Sequence, residues 1–365
     1  MGAVVAVDAN GADLGPSEVA AGALLAAEQG VKILLFGPSE QLYGLPSTIE
    51  VRDAPVSIAK SADPVSAVRA HPEASIVQAA KAVGSGEADA LLCAGGTGAA
   101  LAAGLFNIKR GKGIHRPALA LPLPLPSGDL TLLDVGANAD ARREHLVQFA
   151  FMGAAFAQTV LRIERPRVAL LSNGKERERG SALLIEAHSE LSERAAEATF
   201  LFIGNVEGGD LFEDAADVVV TDGFTGNIAL KLIEGASAAM LAGVRTAALS
   251  SRRARIGGAM MMPALRSLRE EVDPERQGGA YLLGLRSLGV IPHGRFTARG
   301  FAEAMMRAAR GAEESIAVRT WEALAAAGAL RGGQEAACGA GEGPGAEGGG
   351  KAGRASGMDA SLRSR

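Results

Sequence analysis

The chain has 365 residues, of which 48% are hydrophobic and 21% are charged. This balance is typical of a globular protein and excludes a mostly disordered chain, a collagen and a coiled coil. The net charge of −4 at pH 7 gives no electrostatic reason to expect a nucleic-acid ligand. The two cysteines, Cys93 and Cys338, form neither a metal-ligand spacing nor a disulfide framework. We therefore expect a protein of the reducing cytoplasm.

The sequence also bears on targeting and membrane insertion. Its first residues contain no basic segment and carry Asp8 early, so we expect no signal peptide. No uninterrupted run of about 18 apolar residues occurs. We therefore expect no segment that spans a bilayer.

Short apolar runs alternate with longer segments of helical periodicity. Almost purely apolar strands separated by helices predict an α/β fold with a mostly parallel sheet covered on both faces. The predicted strands are residues 3–7, 32–36, 90–93, 118–122, 130–135, 167–171, 199–203 and 218–221. Helices are predicted at residues 17–29, 75–84 and 141–161.

The composition changes near the end of the chain. Residues 331–365 are rich in Gly and Ala and include Cys338. Such a segment cannot bury enough apolar surface to offset the entropy lost on ordering. We therefore predict one α/β domain over residues 1–330 and a disordered tail over residues 331–365.

Six predicted strands end in short loops that combine Gly with Asn, Asp or Glu. Each loop alone is typical of an ordinary strand-to-helix turn, because Gly and Asn tolerate positive φ and Asp and Thr cap helices. Ligands of open α/β sheets bind beyond the carboxyl ends of the strands. We therefore expect the six loops to form one polar crevice. The candidate residues in them are Asp8, Gly95, Gly96, Thr97, Gly98, Asn138, Asn173, Lys175, Asn205, Glu207, Asp222 and Asn227.

Further candidates carry basic side chains. Lys231 follows Asn227 by four residues and so shares its helix face, pointing either into the crevice or into solvent. His145 opens a predicted helix, either as a structural hydrogen-bonding group or as an anion ligand. His293 is more typical of a structural role, with Arg295 as a candidate anion contact.

Two enzyme classes lack their motifs here. The glycine-rich loop at residues 95–98 is similar to a phosphate-binding loop, but it is neither a dinucleotide fingerprint nor a Walker A motif. This disfavours a nicotinamide-dependent dehydrogenase. The sequence contains no G-x-S-x-G, so the nucleophile elbow of an α/β-hydrolase is also absent.

Residues 235–276 are helical by periodicity and place arginines around an apolar patch. The patch contains Met260, Met261, Met262 and Leu265. A basic amphipathic helix is typical of membrane-surface binding or of a groove for a partner. A core or dimer-interface helix fits equally well, because methionine commonly fills gaps in such packing.

Five motifs together resemble those of a known family. They are LLDVGAN, EHLVQFAFMG, FIGNVEG, DGFTGNIALK and GGAYLLG, at residues 132–138, 144–153, 202–208, 222–231 and 278–284. On these motifs the chain resembles the bacterial PlsX family of phosphate acyltransferases over about residues 4–310. It departs from the family pattern in the loop at residues 8–13, at Gly96, where the family usually has Asn, and at Arg179, where the family usually has Lys.

The resemblance implies a fold, a reaction and partners. The fold would be a three-layer α/β/α, Rossmann-like architecture related to isocitrate and isopropylmalate dehydrogenases and to phosphotransacetylases. The reaction would convert acyl-[acyl carrier protein] and inorganic phosphate to acyl phosphate and free acyl carrier protein. The acyl phosphate would pass to a membrane glycerol-3-phosphate acyltransferase in phospholipid synthesis. The resemblance also implies a homodimer, no metal or organic cofactor, and peripheral membrane contact through an exposed helical hairpin.

The candidate residues suit that chemistry. Phosphate is nucleophilic at neutral pH and a thiolate leaves readily, so positioning and electrostatics can supply the rate. We expect Lys231 and the amides of residues 95–98 to bind phosphate, and Asn205 or Asn227 to polarise the thioester carbonyl. His145 and Lys175 are further candidate cations. The acidic residues Asp8, Asp134, Glu207 and Asp222 would orient these groups rather than act as bases.

Two alternatives remain open at this point. One is a phosphotransacetylase-like acyltransferase that uses acyl-CoA, which would share the crevice without needing the hairpin. The other is a non-catalytic protein that binds acyl carrier protein or membrane.

Overall fold

A computed structural model describes residues 2–125, 127–194, 198–271 and 273–331. Within these residues the strands are β1 (Val4–Asp8), β2 (Lys32–Gly37), β3 (Ile49–Asp53), β4 (Ala90–Cys93), β5 (Ala118–Leu125), β6 (Gly128–Leu133), β7 (Arg167–Leu171), β8 (Leu201–Val206), β9 (Val218–Val220), β10 (Ala280–Leu283) and β11 (Leu288–Ile291). The α-helices are α1 (Pro16–Glu28), α2 (Pro64–Ala70), α3 (Ser75–Gly84), α4 (Thr97–Ala103), α5 (Arg143–Val160), α6 (Ala182–Arg194), α7 (Gly223–Leu249), α8 (Arg252–Glu271), α9 (Ala298–Glu313) and α10 (Ile316–Ala326).

The described strands form one sheet in the order β3-β2-β1-β4-β11-β10-β5-β6-β9-β7-β8. The first half of the sheet consists of parallel strands, namely β3, β2, β1, β4 and β11. The second half also consists of parallel strands, namely β6, β9, β7 and β8. Between the halves, three successive pairings are antiparallel. An odd number of antiparallel pairings reverses the strand direction. The first-half strands therefore end at one edge of the sheet, the upper edge, and the second-half strands end at the opposite, lower edge.

Helices cover both faces of the sheet. Val5 and Val7 of β1 pack into one apolar core with residues of α1, α5 and α9, whereas Ala6 packs into a second core with α3 and α4. Alternation of side chains along a strand explains why neighbouring residues enter different cores. The expected mostly parallel, three-layer α/β/α fold is confirmed.

Three strands were not predicted from the sequence. They are β3, β10 and β11, of which the last two have only four residues each. The predicted helical segment at residues 235–276 is two helices, α7 and α8, and α7 begins earlier, at Gly223. The predicted tail from residue 332 onward lies outside the described residues, as does Cys338.

Helix α7 bears on the expectation that no segment spans a bilayer. It is 27 residues long and, by length and composition alone, apolar enough to cross a membrane, with none of its most apolar 18-residue window buried. Isolated charges such as Lys231 and Arg245 interrupt its apolar runs without making the helix polar on average. A search for uninterrupted apolar runs therefore missed it.

Candidate active site

The first strand ends in a buried acid. Asp8 is 1% exposed, and this burial raises the pKa of its carboxyl from the ordinary 3.8 to about 6. Its Oδ1 accepts a hydrogen bond from the backbone N–H of Asn10 at 3.1 Å, and its Oδ2 accepts one from Cys93 Sγ at 3.4 Å. Asp8 therefore ties the end of β1 to the end of β4, beneath the glycine-rich loop.

The glycine-rich loop leads into α4 at the upper edge. Gly96 is the residue before the helix, and Thr97 is its first residue. The amides of a first helical turn have no partner within the helix and attract anions. A Cβ on Gly96 would lie 2.2 Å from the carbonyl oxygen of Ala59. The backbone at Ala59 thus occupies the space that the family's usual asparagine side chain would need.

At the lower edge, Asp134 organises the loop after β6. Its buried carboxylate accepts hydrogen bonds from the backbone N–H of Leu119, Gly136, Ala137 and Asn138, at 2.8–3.1 Å. The side-chain Nδ2 of Asn138 donates to Asp134 Oδ2 at 2.8 Å and to the carbonyl of Pro117 at 2.7 Å. Both amide hydrogens of Asn138 are therefore used within the protein, and Asp134 holds Asn138 and the loop after β6 in place.

The start of α7 is fixed on the same loop. Asp222 caps the helix, accepting from the backbone N–H of Thr225 at 2.8 Å and from its hydroxyl at 2.7 Å. Asn227 Nδ2 donates to the carbonyl of Val135 at 3.2 Å, and its second amide hydrogen has no acceptor among the described residues. A Cβ on Gly226 would lie 1.9 Å from the carbonyl oxygen of Asp134, so only glycine allows this close approach.

The loop after β7 holds Lys175, and Asn205 lies near the end of β8. Lys175 Nζ forms an ion pair with Asp210 Oδ1 at 2.7 Å, and this hydrogen-bonded partner raises the pKa of the lysine. Asn205 Nδ2 donates to the carbonyl of Glu176 at 2.9 Å, whereas its buried Oδ1 has no hydrogen-bond partner in the described part of the chain. The available atom is thus an acceptor, which does not suit the expected role of Asn205 in polarising a carbonyl. Asn173 and Glu207 are exposed.

The six candidate loops do not form one crevice, contrary to the expectation from the sequence. Asp8, Gly95, Gly96, Thr97 and Gly98 lie at the upper edge of the sheet. The lower edge carries Asn138, Asn173, Lys175, Asn205, Glu207, Asp222 and Asn227. The physical reason is the set of antiparallel pairings through β10 and β5, which reverses the second half of the sheet.

The charge of Lys231, in the second half of the sheet, acts on His293 in the first half. Lys231 lies on α7 and forms an ion pair with Glu234 at 2.8 Å while remaining about half exposed. Burial, and then the positive charges of Arg295 and Lys231, lower the pKa of His293, which follows β11 in the first half. Asp13 and Glu234 oppose this shift. We call this group, Lys231, Glu234, Asp13, His293 and Arg295, the interhalf cleft.

The upper-edge loops adjoin this cleft. Strand β4, which leads into the glycine-rich loop, pairs in parallel with β11, which leads into His293. The backbone N–H of Asp13 donates to the carbonyl of Gly294 at 2.8 Å. Sequence reasoning did not select Asp13, because β11, the strand that brings Gly294 to this edge, was not predicted.

His145 lies at the lower edge, away from the upper-edge loops. It is 7% exposed, and burial lowers its pKa. Its Nδ1 accepts a hydrogen bond from the backbone N–H of Arg142 at 3.1 Å. Together with His115 and Glu144 it forms a group of side chains that could hold a metal ion.

Comparison with known proteins supplies the family. The model of a family described as "Fatty acid synthesis protein" matches residues 3–319. A phosphate acyltransferase of Pelotomaculum thermopropionicum is 42% identical over 325 residues, covering 87% of this chain and 93% of that protein. A phosphotransacetylase structure from Streptococcus pyogenes has a TM-score of 0.58 at 17% identity, covering 85% of this chain and 94% of its own. A 4-hydroxythreonine-4-phosphate dehydrogenase structure from Klebsiella pneumoniae has a TM-score of 0.50 at 16% identity. That match covers 85% of this chain and 99% of the dehydrogenase chain.

The similarities define both the class of the protein and its family. The chain has an α/β/α fold shared with phosphotransacetylases and a dehydrogenase, and it is an enzyme of the acyltransferase class. It belongs to the fatty acid synthesis protein family, whose members include the phosphate acyltransferases, and the resemblance seen in the five motifs is confirmed.

Proposed function

We propose that the protein transfers the acyl group of an acyl-[acyl carrier protein] thioester to inorganic phosphate. The products are acyl phosphate and free acyl carrier protein, and the acyl phosphate serves phospholipid synthesis through a membrane glycerol-3-phosphate acyltransferase. The names of the relatives support transfer to phosphate. The kinship with phosphate acyltransferases over most of the chain is the observation that carries the proposal. The interhalf cleft agrees with it, because Lys231 of one half and Arg295 of the other both lower the pKa of His293.

Two cations from opposite halves suit a phosphate ligand. Lys231 is half exposed and held by one carboxylate, Glu234, so it can turn towards an anion in the cleft. The first-turn amides of α4, at Gly96, Thr97 and Gly98, lie at the same edge as His293 and add donors that favour negative charge. Phosphate held between the two halves is positioned to attack a thioester bound beside it.

The developing oxyanion of the thioester needs a hydrogen-bond donor. One amide hydrogen of Asn227 has no acceptor within the part of the chain that the structure describes. Asn205 is less suited, because its Nδ2 already donates to Glu176. We therefore assign the carbonyl contact to Asn227, which lies one helical turn before Lys231 on α7.

The reaction class is tested with purified full-length protein, inorganic phosphate and palmitoyl-[acyl carrier protein]. Release of free carrier protein is followed, and acyl phosphate is trapped with hydroxylamine as the hydroxamate. Phosphate-dependent hydroxamate is the expected result. Release without hydroxamate would identify a thioesterase, hydroxamate from acetyl-CoA alone would identify a phosphotransacetylase-like enzyme, and no release from any thioester would leave a binding protein.

We further propose that the protein acts as a homodimer in the cytoplasm and contacts the membrane peripherally through α7 and α8. Met260, Met261 and Met262 are 79%, 58% and 44% exposed, and Leu265 is partly buried beside them. Exposed methionines among arginines fit an anionic lipid surface. Helix α7 starts inside the folded domain, anchored by its cap at Asp222, which favours a helix lying on the membrane over one crossing it.

Liposome flotation tests the membrane contact. The variant carrying both Met261→Asp and Leu265→Asp is expected to lose binding to vesicles that contain anionic phospholipid. A double variant of exposed apolar residues elsewhere, Tyr43→Asp with Val65→Asp, serves as the matched control. Flotation of the hairpin variant equal to that of the wild type would remove the proposal.

A further inference from the structure

Three potential metal ligands converge where α5 begins. His115, Glu144 and His145 each place one ligand atom within 4.8 Å of the others. Glu144 and His145 lie in the first turn of α5, and His115 lies just before β5. We propose that these side chains form a binding site for a divalent cation of the zinc type. The site lies outside the interhalf cleft and adds a ligand that neither the sequence nor the proposed reaction calls for.

The geometry of the cluster is set by a buried glutamine. Gln148 lies one turn further along α5 and is 2% exposed. Its Oε1 accepts from the backbone N–H of His115 at 2.8 Å, and its Nε2 donates to the carbonyls of Gly113 at 3.0 Å and Ala329 at 2.7 Å. The segment that carries His115 is thereby fastened to the helix that carries the other two ligands. Such preorganisation reduces the entropy lost when a ligand binds.

The protonation states suit coordination at neutral pH. Burial is the main cause that lowers the pKa of both His115 and His145, so both rings are neutral. The pKa of Glu144 is also lowered, mainly by a hydrogen bond from its own backbone N–H, so the group is a carboxylate. Neutral imidazoles and an ionised carboxylate are the forms that bind metal ions. The convergence of the ligand atoms carries the proposal, and these charges agree with it.

Coordination would leave a specific mark on the helix. Nδ1 of His145 accepts from the backbone N–H of Arg142 at 3.1 Å, so the proton of the neutral ring is on Nε2. Coordination through Nε2 moves that proton to Nδ1, where it can no longer accept. The amide of Arg142 therefore loses its hydrogen-bond partner when the ion binds.

The ligand types, rather than the surrounding charge, select the type of ion. Arginines act on both rings and lower the pKa of each. They are Arg110 and Arg331 near His115, and Arg116 and Arg142 near His145. This positive charge opposes every divalent cation alike, so the choice of ion rests on the ligand types. Two imidazoles and one carboxylate are a ligand set typical of Zn²⁺, with a fourth position left for water.

The test titrates full-length protein, freed of metal with EDTA and then dialysed, with Zn²⁺ in a calorimeter. We expect saturable binding that involves this site, and a dissociation constant raised about tenfold or more in His115→Asn. The matched control is His71→Asn, which removes an exposed histidine that also lies beside a carboxylate, Glu73, at 3.0 Å. Equal affinity of His115→Asn and wild type, or no saturable binding by the wild type, would overturn the proposal.

Two further measurements keep the test decisive. Thermal unfolding in EDTA checks that His115→Asn is folded, and Glu144→Gln replaces it if it is not. In the wild type, hydrogen exchange of the Arg142 amide should accelerate on Zn²⁺ binding, whereas Mg²⁺ should leave it unchanged. Zn²⁺ binding without any change at Arg142 would contradict coordination by His145 Nε2.

Discussion

Lys231 and His293 belong to opposite halves of the sheet, yet the charge of the lysine lowers the pKa of the histidine. The two residues follow strands that run in opposite directions, β9 and β11. Helix α7 starts at the lower edge, and Lys231 lies two turns beyond its first residue. The helix therefore carries Lys231 away from the lower edge and towards His293. This relationship defines the interhalf cleft and is the basis of the phosphate site proposed above.

Removal of the lysine charge should be detectable at the histidine. In Lys231→Ala the pKa of His293 is expected to rise, because a nearby cation is lost and Glu234 loses its partner. The measurement is an NMR titration of the histidine ring protons between pH 4.5 and pH 8.5. Lys32→Ala, which removes an exposed lysine at the start of β2, is the control. An unchanged pKa of His293 in Lys231→Ala would show that the two groups are not close.

The buried Asp8 predicts a specific pH dependence of stability. Its folded-state pKa of about 6 exceeds the ordinary 3.8. The folded state thus binds the proton more tightly than the unfolded state, and stability falls as pH rises from about 4 to about 6. Above pH 6 the penalty is complete, on the order of 3 kcal/mol from the difference in pKa.

Asp8→Asn removes this penalty while keeping the shape of the side chain. The stability advantage of the variant over wild type should therefore grow by about 2–2.5 kcal/mol between pH 4 and pH 7.5. Urea denaturation at the two pH values measures this gain. The same free-energy difference between variant and wild type at both pH values would contradict a raised pKa.

Gly96 is expected to tolerate no side chain. A Cβ there meets the carbonyl oxygen of Ala59 at 2.2 Å, and a backbone atom cannot turn away as a side chain can. Gly96→Ala should lower the free energy of unfolding by about 1–3 kcal/mol. Gly208→Ala, where a Cβ meets nothing within 4 Å, should have little effect. Equal stability of the two variants in urea would disprove the close approach of Ala59.

The two asparagines at the lower edge should differ in their effect on stability. Asn138→Ala removes two hydrogen bonds and leaves the buried carbonyl of Pro117 unsatisfied, at a cost of about 1–3 kcal/mol. Asn173→Ala changes an exposed residue and should alter stability far less. Urea unfolding of both variants compares them directly. A loss confined to Asn173→Ala would reverse the assigned roles.

The sequence predicted much of the fold because apolar strands and helical periods are local signals. Strands 90–93 and 167–171 were predicted with the bounds they have. The positions of the loops were also predicted, but not which loops lie together. That depends on β10 and β11, whose short runs beside Gly278, Gly279 and Gly284 give a weak strand signal. Roles such as that of Asn205 depend on where an amide points, which no sequence pattern specifies.

The most direct test of the interhalf cleft compares the phosphate KM of Lys231→Ala with that of Lys175→Ala in the hydroxamate assay. The first variant removes the cation of the cleft, and the second removes the cation at the lower edge that is already paired with Asp210. The cleft predicts a phosphate KM raised about tenfold or more in Lys231→Ala and a smaller change in Lys175→Ala. A large rise in Lys175→Ala alone would place phosphate at the lower edge and contradict the account.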